Sequence, residues 1–60
     1  MIETTNLNMI VKERLYITLF LISGFQLKGH IVSFDNDTVL VESQGTNKLI
    51  YKHAISTIEF

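Results

Sequence analysis

The sequence predicts a mostly-β fold in which a short N-terminal α-helix precedes five strongly bent antiparallel strands, forming a small open barrel. Three observations lead there. Apolar residues follow helical spacing only in the first dozen positions. From Leu15 onward, short β-prone runs are separated by turn-forming residues. The three glycines fall in those turns or at a break in alternation.

The helix comes first. Leu7, Ile10 and Val11 share one face at i, i+3, i+4 spacing, and Thr4 or Thr5 can cap the start, which sets a helix over about 1–13. The strands then occupy 15–60 as one bent sheet, and 1–60 reads as a single domain. Leu15 to Ile22 is apolar on both parities, as in a strand buried on both faces. Ser23-Gly24 gives a tight turn. Phe25-Gln26-Leu27-Lys28 alternates, and the alternation slips after Gly29, where a long strand can bend. Asp35-Asn36-Asp37 is a polar turn. Thr38 to Glu42 is the next strand, and Gln44 to Asn47 is a hairpin tip. Lys48 to Lys52 and Ala54 to Ile58 are the last two strands, parted at His53.

Size and charge limit the function. A chain of 60 residues buries only about 60% of its unfolded surface, and it has no cysteine to staple it. With 47% hydrophobic residues, it carries more apolar surface than one small core hides, which points to a homo-oligomer. No run approaches the ~18 apolar residues of a membrane span, and the start lacks the pattern of a secretory signal. The cytoplasm is therefore the expected compartment. The net charge of −1 argues against a generic polyanion binder, which would usually be basic. Any nucleic-acid contact must come from a few placed groups.

The candidate groups are few. Lys52 and His53 adjoin at a strand corner. A histidine there can simply bond a backbone carbonyl, but beside a lysine it can also help hold a phosphate or a base edge. His30 alternates with apolar residues and reads as a solvated or edge histidine. Phe34, Phe60, Tyr16 and Tyr51 fill core or interface by default. Phe20 and Phe25 flank the Ser23-Gly24 turn and can instead offer flat faces to bases. Asp35-Asn36-Asp37 lacks the ligand array of a calcium loop and reads as a plain turn. No nucleophile stands with an activating base, so neither an enzyme nor a metal or cofactor is expected.

Two segments carry a family resemblance. Phe20 to Gly29, followed by Ser33-Phe34-Asp35, resembles the first motif of bacterial Hfq within the Sm-like (LSm) family, and Tyr51 to Thr57 resembles its second. The likeness runs from about Leu7 to Ile58. Leu49 to His53 and the Phe25-Gln26 pair are similar to the Firmicute-type branch. It implies a hexameric ring, closed by edge pairing of the last two strands of neighbouring subunits. Such rings are RNA chaperones that join small regulatory RNAs to messages in post-transcriptional regulation. By this resemblance Asn36, Lys52 and His53 would form a proximal, pore-side site for uridine-rich ends. Phe20, Leu21, Gly24, Phe25, Gln26, Lys28 and Thr57 would form distal adenine pockets, and Lys12 and Arg14 would contribute to an outer rim.

Several positions depart from the family pattern. Asp37 stands where the family places an aromatic that stacks the uracil, at a cost of about 1–3 kcal/mol per base. Glu3 stands where a base-contacting Gln is common. Val11, Lys12 and Arg14 replace an arginine cluster, and the sequence ends at Phe60 where many relatives carry a polar tail. The expectation is an RNA chaperone ring that prefers A-rich RNA on its distal face, with a weakened U-rich proximal site. The alternative is a divergent paralogue that co-assembles with a standard ring and modulates it.

Overall fold

The computed structural model describes residues 4–60, with side chains from Asn6 onward. Helix α1 (Thr4–Lys12) is followed by strands β1 (Tyr16–Leu21), β2 (Gln26–Phe34), β3 (Thr38–Ser43) and β4 (Thr46–Tyr51). A single 3-10 turn (Lys52–Ala54) then leads into β5 (Ile55–Glu59). This is the expected helix and five antiparallel strands. The side chains of Thr4 and Thr5, on which the expected cap falls, and Glu3 lie outside the described residues.

The helix ends in a Schellman arrangement. Leu15 N–H donates to the Ile10 carbonyl at 3.1 Å and Arg14 N–H to Val11 at 3.2 Å, with Arg14 left-handed at φ 53°. That closure turns Leu7 and Ile10 onto the sheet, where they are 0% and 2% exposed. Ile17, Leu19, Leu27, Ile31, Val39, Val41 and Ile55 complete one core cluster. No described helix is long and apolar enough to cross a membrane.

The strand order is β4-β3-β2-β1-β5, all antiparallel, so consecutive β4 and β5 occupy opposite edges. Laid flat, five strands would set those edges about 19 Å apart. The turn joining them has three residues and reaches about 8 Å at 3-10 rise. The sheet must therefore curl until its edges approach. Backbone bonds fix the connection: Ile22 N–H donates to the Ala54 carbonyl and Lys52 N–H to the Asp37 carbonyl, each at 2.8 Å.

Three strand readings are corrected. β1 is not buried on both faces: Ile17 and Leu19 point inward, while Tyr16, Thr18 and Phe20 point outward and are exposed or half-buried. The register slip in β2 falls between Ile31 and Ser33, three residues beyond the expected site. Gly29 has another task. A Cβ there would collide with the Glu42 carbonyl and lie 3.2 Å from Ser43 Cα, so glycine permits the close approach of β3. Finally, β3 extends to Ser43, the hairpin turn shrinks to Gln44-Gly45, and the parting expected at His53 is the whole Lys52–Ala54 turn.

Candidate nucleic-acid interface

Two separate regions gather the candidate residues. The first is the outer face of β5-β1-β2. Phe20 is paired with Thr57 on β5 and with Gln26 on β2, so the three form one row across three strands. Lys28 stands two residues from Gln26 on the same side, as strand alternation requires. Beyond the row, the turn is held by Gly24 N–H donating to the Leu21 carbonyl and Leu21 N–H donating to the Phe25 carbonyl, both at 2.9 Å. Gly24 takes φ 95°, where a side chain would be strained. Phe25 is thereby left 57% exposed at the mouth of the row, beside the half-buried Leu21. Of the residues expected of the distal site, Phe20, Gln26, Lys28 and Thr57 share this outer face and Gly24 and Phe25 lie in the turn at its end, whereas Leu21 packs partly against the core. A cavity of about 480 Å³ adjoins it, lined by Phe25, Gln26 and Lys28 together with Tyr16, Ser43 and Lys48.

The second region is the corner built from the β2–β3 turn and the 3-10 turn. Asp35 organises it as an Asx turn. Its Oδ1 accepts from Asp37 N–H (2.9 Å), Thr38 N–H (2.8 Å) and the Thr38 hydroxyl (2.9 Å). The Asp37 N–H bond, then those of Thr38, holds the Asp35 carboxyl below the usual carboxylate range, and the Lys52 charge adds to this. The Asp37 carbonyl in turn takes the Lys52 N–H, so a segment 15 positions earlier lies directly against the Lys52-His53 pair. Lys52 Nζ sits 5.4 Å from the Phe34 ring centroid. His53 stacks on Tyr51 at 5.6 Å and 25°. Asn36, Asp37 and His53 are exposed.

Lys12 and Arg14 are both exposed at the helix end. A cavity of about 410 Å³ next to Arg14 is lined largely by Val11, Ile31 and Val32, with His30 and Glu42. His30 is a partly solvated outer-face residue, edge-on to Tyr16 and 3.9 Å from Glu42. The sequence reading missed Tyr51 and Phe34 as supports of His53 and Lys52. Their adjacency to the pair and to the acidic turn was the available signal. It also missed Ser43 and Lys48, which reach the outer-face cavity only through strand pairing.

The family model described as "Hfq protein" matches residues 2–60. The RNA-binding protein Hfq of Bacillus subtilis (strain 168) is 59% identical over 56 residues, spanning 93% of this chain and 77% of that protein. A 1.55 Å crystal structure of the pleiotropic translational regulator Hfq superposes with a TM-score of 0.91 at 41% identity, covering 93% of each chain. An Hfq protein from Anabaena sp. has a TM-score of 0.83 at 20% identity over 92% of this chain and 88% of that one, a likeness of fold alone. With its helix, five-stranded sheet and both motif regions inside these matches, the chain belongs to the Hfq family.

Proposed function

We propose that this chain is the subunit of a cytoplasmic, homo-hexameric RNA chaperone that binds A-rich RNA on its outer (distal) face and U-rich RNA weakly at its corner (proximal) site. The observation that carries the reading is the Thr57–Phe20–Gln26 row with Phe25 exposed beside it. Aromatic faces with flanking polar groups stack bases and hydrogen-bond their edges. The corner keeps Lys52 and His53 but adds the Asp37 carboxylate, which gives a base nothing to stack on and repels phosphate.

Ring formation is supported by the two free edges. Among the described residues β4 and β5 each have a strand neighbour on one side only, and β4 exposes Leu49 (60%) and Tyr51 (57%). Pairing β4 of one copy with β5 of the next is a head-to-tail contact, which closes into a ring when the rotation allows. Repetition then turns one Lys52 per chain into a circle of lysines, offsetting the net charge of −1. Small regulatory RNAs and messages are the partners this reading assigns.

The test is a pair of titrations at fixed salt with short oligo-A and oligo-U. Tighter oligo-A binding is expected, and equal or tighter oligo-U binding would overturn the weakened corner. A second reading, a paralogue that enters and modulates a standard Hfq ring, is favoured by Asp37 and by the apolar lining beside Arg14. Native mass spectrometry of a mixture with a standard Hfq separates the two, mixed rings being its signature.

A further inference from the structure

The outer face continues past the Phe20 row to the start of β1, where Tyr16 is 62% exposed on the same side. Strand pairing sets Tyr16 opposite His30 on β2, and His30 opposite Glu42 on β3. These three form a row parallel to the Thr57–Phe20–Gln26 row and about 14 Å from it along β1. Tyr16 and His30 meet edge to face, with ring centroids 5.4 Å apart and planes at 72°. Such a pair covers one face of one ring and leaves flat apolar surface to a ligand. Glu42 holds the arrangement in place. One of its carboxylate oxygens accepts from Gly45 N–H at 2.8 Å, and the other lies 3.9 Å from His30 Nδ1.

The pair also joins two concavities. Tyr16 lines the cavity of about 480 Å³ together with Lys28 and Lys48. His30 lines the cavity of about 410 Å³ together with Arg14. Among the described residues, Glu42 is the one acid lining either cavity, and one of its oxygens is committed to Gly45. In a chain of net charge −1 this is a local excess of positive charge. Exposed rings set among cations suit a single nucleic-acid strand, whose phosphates follow the charges while a base lies on a ring.

We infer that Tyr16, backed by His30, is a stacking step for a base beyond the outer-face row, carrying a bound RNA strand from that row toward Arg14 at the end of α1. The inference rests on the outer face being an RNA site. Stacking uses the face of a base and not its edge, so the step adds affinity and is indifferent to which base it holds.

The experiment is an equilibrium titration at fixed salt of the full chain and its Tyr16→Ala and Tyr16→Phe variants. The probes are a short oligo-A core alone, the core with a cytidine tail, and the core with an abasic tail of equal length. Each tail is tried at either end of the core. The abasic tail keeps the phosphates and lacks the bases. At one of the two ends, the wild-type chain is expected to bind the cytidine-tailed oligomer about tenfold tighter than the abasic one, the scale of one base on an aromatic ring. Tyr16→Ala is expected to lose that difference and still bind the core, and Tyr16→Phe to keep it. Equal binding of the two tailed oligomers by the wild-type chain at both ends would overturn the inference. So would an unchanged difference in Tyr16→Ala, or its loss in Tyr16→Phe. A Tyr16→Ala chain that loses the core as much as the tailed oligomers would make Tyr16 a support of the outer face and overturn the inference too. Failure of the wild-type chain to bind the core overturns the RNA reading of the outer face, and this inference with it.

Discussion

The outer face and the corner are built in opposite ways from the same strands. The outer face is a product of local periodicity: residues two apart on β1, β2 and β5 share a side, and strand pairing places Thr57, Phe20 and Gln26 in line. The corner is assembled from two turns distant in sequence, joined by the Lys52 N–H to Asp37 carbonyl bond and by the Thr38–Tyr51 strand pair beside it. A substitution on the outer face removes one contact and leaves its neighbours in place. A substitution in the corner changes the setting of groups that it does not adjoin in sequence. Asp37 illustrates the second case, because it leaves Lys52 and His53 untouched and still changes what they face.

The largest effect is expected where both regions share a support. Gly29 lies inside β2, against the backbone of Glu42 and Ser43. In Gly29→Ala the added methyl meets the Glu42 carbonyl, and β2 and β3 must separate. The expected cost is about 3 kcal/mol, a fall in Tm of about 15 °C for a domain of this size. Thermal unfolding followed by circular dichroism measures it. A Tm within a few degrees of the wild-type value would show that β3 can shift, and that the two regions are less tied to a common frame than the packing implies.

How much of each region was legible in the sequence follows from the same contrast. Alternation and turn residues located every strand to within a few positions and placed Phe20, Phe25 and Gln26 near one turn. Pairing was not legible, so Tyr16, Ser43 and Lys48 could not be joined to the outer face, because periodicity says which side a residue faces and not what lies opposite. β1 looked buried on both faces because Tyr16 and Phe20 are as apolar as core residues, although their side of the sheet is open in the single chain. The break in alternation near Gly29 was real, but it combined two causes: a register shift at Val32 and a glycine needed for close approach. The corner was readable only through family resemblance, since nothing local links Asp37 to Lys52.

A smaller effect, confined to one region, is expected from Asp37→Phe. The ring restores a stacking surface and removes a carboxylate, so oligo-U affinity should rise about tenfold, within the range measured for base stacking on aromatic residues. Oligo-A affinity should not change, because Asp37 lies on the β2–β3 turn, away from the outer-face row. A parallel gain for both oligomers at fixed salt would mean that Asp37 acts through general repulsion. The corner would then not be a separate site.

The smallest effect concerns the turn that holds the corner together. The Asp35 carboxylate accepts from Asp37 N–H and from both donors of Thr38, and these bonds depress its pKa from the ordinary 3.8. Because the folded-state value is the lower one, the stabilisation is present above the unfolded carboxylate value and is lost as pH falls through the folded value. Asp35→Ala should therefore lower Tm at neutral pH, and the gap from the wild-type chain should narrow as pH falls below about 4. The side chain is fully exposed, so the shift should be modest. A Tm gap that stays constant from pH 7 to pH 3 would mean that the bonds do not depend on the charge of the carboxylate. If the gap narrows as expected, oligo-U binding should weaken in Asp35→Ala more than oligo-A binding does. The Asp35 turn is what presents the Asp37 carbonyl to Lys52, whereas the outer-face row is held by strand pairing alone.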